Sequence, residues 1–103
     1  MARGQIIVDT SRLITVAGQV DTYADTYKRT YEALYKKVDD LKSQSIGKDN
    51  DKFTTQIYGF QDDFQRMEKL MRDYAEYLRK SAAALKETED KLTTEAGRLS
   101  TGS

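Results

Sequence analysis

The chain has 103 residues, with 17 basic side chains against 17 acidic ones and no Cys, His, Trp or Pro. That length allows one domain, and the interleaved, cancelling charge excludes a net basic field for gripping nucleic acid or anionic lipid. Without Cys or His there is no thiolate nucleophile, imidazole base or common zinc ligand, so neither catalysis nor a metal or cofactor is expected.

Residues 1–8 read as a flexible leader. Its Ile6-Ile7-Val8 is too short for a signal-peptide core, and no apolar run approaches the ~20 residues of a membrane span. Asp9 has the chemistry of a helix N-cap, with Val8 and Leu13 placed as a hydrophobic staple. From there Leu13, Ala17, Val20, Ala24, Tyr27, Tyr31, Leu34, Val38 and Leu41 recur by fours and threes. That is the seam of a long helix lying along another. Tyr23, Tyr27, Tyr31 and Tyr35 form a ridge at intervals of four. It reads as packing with hydroxyls at the seam's edge, since no basic excess supports a platform for stacked bases.

The stretch Ser45-Ile46-Gly47-Lys48-Asp49-Asn50-Asp51-Lys52-Phe53 reverses the chain. Gly47 can end one helix in a left-handed conformation, and Asp49 or Asn50 can cap the next. A calcium loop is not expected there, because Phe53 falls where an oxygen ligand belongs. After the turn Phe53, Ile57, Phe60, Phe64, Met67, Met71, Tyr74 and Leu78 repeat the seam. Gly59 beside it predicts a close helix crossing. The expected layout is helix 1 over about 9–45, a turn at 46–49, helix 2 over about 50–96 and a disordered tail at 97–103. Folding the arms about the turn pairs positions whose numbers sum to about 94.

Beside Met67–Leu78 the apolar face widens to include Leu70 and Tyr77, matched on the first arm by Val16 and Tyr23. Two helices use one seam on each other, so the surplus predicts a dimer interface. The expected fold is all-α: a long antiparallel helical hairpin dimerising into an elongated four-helix bundle. Past Ser81 the seam thins to Leu85, Leu92 and Leu99 on an overhang that the first arm cannot cover.

About a hundred residues, two long helices, a glycine in the turn and an aromatic six residues later resemble the WXG family. These are small secreted helical hairpins, substrates of type VII (ESX) secretion. Gly47 and Phe53 match the turn motif, Ile46 occupies its variable position, and Ser45 stands where the family has tryptophan. The resemblance implies a non-enzymatic protein made in the cytoplasm of a Gram-positive type host and exported as a folded dimer without a cleaved signal peptide. It would act as effector, carrier or recognition subunit. The implied partners are a second copy or a related hairpin, and the secretion machinery ATPase; no nucleic acid and no integral membrane segment are expected. Leu85, Glu89, Leu92 and Ala96 are similar to the C-terminal secretion signal of Gram-positive members. The competing reading of the same residues is an intracellular coiled-coil adaptor or chaperone for a client helix.

Overall fold

The computed structural model describes residues 9–44 and 47–101, with side chains through Gly97. Three helices follow in order: α1 (Thr10–Ser43), α2 (Lys48–Gly59) and α3 (Gln61–Thr101). The second and third run back along the first, so the chain is an all-helical hairpin measuring 85 × 26 × 16 Å. Its radius of gyration is 23.6 Å, whereas a compact domain of this length would have about 13 Å.

Capping chemistry sets the start of α1. Asp9 is extended, and its carboxylate accepts the Arg12 N–H at 2.7 Å and the Ser11 hydroxyl at 2.8 Å. The Arg12 N–H bond, with the Ser11 bond second, holds the carboxyl below its ordinary value. At the other end Gln44 donates its N–H to the Leu41 carbonyl.

The turn departs from the expected layout. Gly47 sits at φ 145° and ψ 173° as the N-cap of α2, not as the left-handed stop of α1. Helix begins at Lys48, so Asp49 and Asp51 fall inside its first turn, where their charge favours the helix dipole. Neither Asp49 nor Asn50 is the cap; Asn50 instead reaches back to the Leu41 carbonyl at 3.4 Å. Ser45, Ile46, the leader 1–8 with its Val8 staple, and residues 102–103 lie outside the described residues.

The expected second helix is two. At Phe60 (φ −88°, ψ −6°) the N–H bonds the Ile57 carbonyl at 3.1 Å, three residues back instead of four. Gly59 is not a close crossing, for a Cβ built there would meet nothing within 4 Å. Here glycine lowers helix propensity and the ladder breaks beside it.

The tail also differs, since α3 stays helical to Thr101 instead of fraying after residue 96. The overhang leading to it is supported locally by i,i+4 pairs, Lys86–Asp90 at 3.6 Å and Lys91–Glu87 at 3.5 Å.

The glycines separate by backbone geometry. The dihedrals of Gly47 belong to a region essentially reserved for glycine, so Gly47→Val should cost about 1–3 kcal/mol. Gly18, mid-helix with open space around it, should gain about 1 kcal/mol as alanine. Thermal melts moving in opposite directions check both. An unchanged melt for Gly47→Val would contradict the turn geometry.

Candidate functional site

Between the arms the core is thin and made of small residues. Ala17, Ala75 and Leu78 form its centre, with Leu13, Val16 and Val20 packed against them. Nearer the turn Phe64 lies among Tyr27, Tyr31 and Tyr35 at ring distances of 6.0–6.1 Å, stacked on Tyr31. The numbers of contacting residues sum to between 91 and 100, bracketing the expected register.

Several of the expected seam positions are not buried between the arms. Leu34, Leu41, Phe53, Phe60, Met67 and Tyr74 are exposed, whereas Tyr35, Thr54, Ala75 and Ala82 are buried. The reason is geometric. An apolar stripe stepping by threes and fours suits the centre of a multi-helix bundle, so in a two-helix hairpin one edge of it faces outward.

One lip of the hairpin is polar. Arg79 pairs with Asp21, Arg72 with Asp25 at 2.9 Å, and Tyr58 donates to Asp39. Tyr31, only 7% exposed, donates to Glu68 at 2.6 Å, and Arg72 also bonds Glu68 at 2.9 Å. Exposed pairs of this kind contribute ~0–1 kcal/mol each, so the ladder fixes register more than it stabilises.

The opposite lip follows from that ladder. Residues two apart on a helix point roughly 160° apart. Tyr23 follows Asp21, Leu41 follows Asp39, Leu70 follows Glu68, Tyr74 follows Arg72, and Tyr77 precedes Arg79. Each rung of the polar lip therefore has an apolar residue pointing the other way. Since the ladder joins the two helices on one side, these apolar residues share the other. With Leu34, Phe53, Phe60 and Met67, which are exposed as well, they make an apolar face along the hairpin.

Of the residues assigned to an interface by sequence, Tyr23, Leu70 and Tyr77 lie exposed on this face. Val16 is half-buried and packs against the core cluster. The extension toward the turn through Leu34, Leu41, Phe53 and Phe60 was missed, because those positions read equally well as seam. Leu85 is half-buried, while Glu89, Leu92 and Ala96 are exposed on the overhang. Gly47 and Phe53 are near the turn, with Phe53 turned outward. Among the described residues no cluster of acidic side chains is placed to hold a metal ion, and no helix is long and apolar enough to cross a membrane.

The four tyrosines cross the seam diagonally. Steps of four advance about 40° around the helix, carrying the ridge from exposed Tyr23 through half-buried Tyr27 to buried Tyr31 and Tyr35.

The Tyr31–Glu68 bond should be visible in the pH dependence of stability. That hydrogen bond, with burial second, pushes the Tyr31 hydroxyl up to about 12, while the same bond and Arg72 lower the Glu68 carboxyl. Stability from Glu68 is complete above its ordinary value and lost as pH falls through its lowered one. Stability from Tyr31 is complete below its ordinary value and lost as pH rises toward about 12. Tyr31→Phe should cost about 1.5 kcal/mol at neutral pH and shrink both losses. Thermal melts at acidic, neutral and alkaline pH check this; unaltered limbs would remove the bond from the account.

The family model described as proteins of 100 residues with WXG matches residues 5–90. No curated protein and no solved structure matches the chain.

Proposed function

The chain belongs to the WXG100 family, and from that membership we propose that it is a type VII secretion substrate exported as a folded dimer. Family members are small, in general non-enzymatic helical proteins, secreted by these systems without a signal peptide. On this reading the chain is an effector, carrier or recognition subunit, made in the cytoplasm of a Gram-positive type host. Its partners are a second copy or a related hairpin, and then the secretion ATPase.

The observation that carries the dimer is the apolar face opposite the ion-pair ladder. A stable interface needs about 800 Å² from each partner, and this face groups nine large apolar residues that are each 37–72% exposed. Leu92 and its neighbours on the overhang stand clear of the hairpin, as a segment read by other proteins must. Expression of the tagged chain in a host with and without its type VII ATPase tests the proposal. It should reach the culture supernatant only when the ATPase is present. Equal amounts in both supernatants, or retention in both cells, would overturn it.

A further inference from the structure

α2 is attached differently from α3. Its one buried residue is Thr54, and its Phe53 faces outward. Three polar contacts tie it to α1: Asn50 to the Leu41 carbonyl at 3.4 Å, Tyr35 to the Ile57 carbonyl at 2.6 Å, and Tyr58 to Asp39. The rings of Tyr35 and Tyr58 stack at 6.0 Å, and the Lys42 ammonium lies 5.3 Å from the centre of the Tyr58 ring. By contrast α3 buries Ala75, Leu78 and Ala82 against α1. A helix of 12 residues is marginal by itself in water, and hydrogen bonds add only modest net stability.

The break at Phe60 weakens the other support, continuity with α3. It also leaves the Ile57 carbonyl, whose usual partner would be an N–H four residues on, accepting from Phe60 and from the Tyr35 hydroxyl. Tyr35 is 5% exposed, and its hydroxyl finds its acceptor at the break. No neighbour demands a glycine at position 59, where a Cβ would meet open space.

We propose that α2 is a flap, tethered at both ends, that lifts locally from α1 about a hinge at Gly59–Phe60 and is latched by the Tyr35 hydroxyl on the Ile57 carbonyl. Opening withdraws Phe53 from the turn end of the apolar face, so docking of a second copy on that face holds the flap shut. The hinge and latch rest on the helix break and its contacts; only the docking effect rests on the partner reading.

Hydrogen exchange on the full chain, read by mass spectrometry, tests this. Amides of residues 48–59 should exchange at least about tenfold faster than those of residues 64–82. Tyr35→Phe, which keeps the ring, should speed α2 about tenfold again and leave residues 64–82 unchanged. Gly59→Ala, which meets no neighbour, should slow α2 by rejoining it to α3. Equal exchange of the two segments in the native chain overturns the flap. Acceleration of both together in Tyr35→Phe overturns the latch. If Tyr35→Phe does not fold, Gly59→Ala decides, and unchanged α2 exchange in it overturns the hinge. Raising the concentration through the dimerisation range should slow α2 selectively. Dimerisation without that slowing overturns the docking effect. A native chain that never dimerises overturns the partner reading and the docking effect with it, while the exchange rates decide the flap.

Discussion

In the proposed dimer, Leu70→Asp and Tyr77→Asp should each cause dissociation, whereas Leu92→Asp should leave it intact. Exposure alone does not separate these sites: in the single chain Leu70 is 62%, Tyr77 63% and Leu92 65% exposed. What separates them is position. Leu70 and Tyr77 lie within the apolar face opposite the ion-pair ladder, and Leu92 lies on the overhang past the reach of α1. An unpaired carboxylate buried at an interface costs several kcal/mol, and a two-fold interface contains every substitution twice. A loss of about 4 kcal/mol raises the dissociation constant roughly a thousandfold. Light scattering over a concentration series reads the outcome. Equal effects at the three sites would place the interface elsewhere.

The second large effect is on export. On the proposed reading, deleting residues 88–103 should leave a dimer with a modestly lowered melting temperature, yet keep the protein inside the cell. The removed segment begins beyond Leu85, which lies opposite the start of α1, and residues 86–97 are exposed. Little of the described core goes with it. Glu89→Ala in the full chain should impair export in the same direction without altering the helix signal in circular dichroism. Export of the truncated chain at the native level would move the signal out of residues 88–103. Unfolding of the truncated chain would show instead that the overhang is packed, against a partner.

These effects depend on parts of the molecule that were legible to different degrees. Fours and threes in apolar spacing were enough for two long antiparallel arms, because that spacing has few other stable solutions. Asp9 was legible because a cap acts through its own local backbone. The turn was less so. A glycine and a polar run specify a reversal, but not which residue caps and which, like Asn50, reaches across to the other helix. The break at Phe60 has only Gly59 as its signal, and the same glycine suggests a close crossing equally well. Tyr23, Leu70 and Tyr77 stood out because they exceed what one seam can use. Phe53, Phe60, Leu34 and Leu41 did not, because heptad spacing cannot say which edge of a stripe meets the other arm. The polar ladder was hidden for a related reason. Asp21, Asp25, Arg72 and Arg79 sit among many exposed charges, and only the register brings them together.

The diagonal run of tyrosines has an optical consequence. With 7 tyrosines and no tryptophan, near-ultraviolet emission from the chain is tyrosine emission, with no indole acceptor to drain it. Three of these fluorophores, Tyr23, Tyr74 and Tyr77, lie on the apolar face in contact with water, while Tyr31 and Tyr35 are sealed inside with their hydroxyls bonded. Water-borne quenchers such as acrylamide or iodide therefore sort the rings into an accessible set and a shielded one. The proposed docking on the face would move the first set into the second, so an unlabelled sample would carry its own light-based gauge of association.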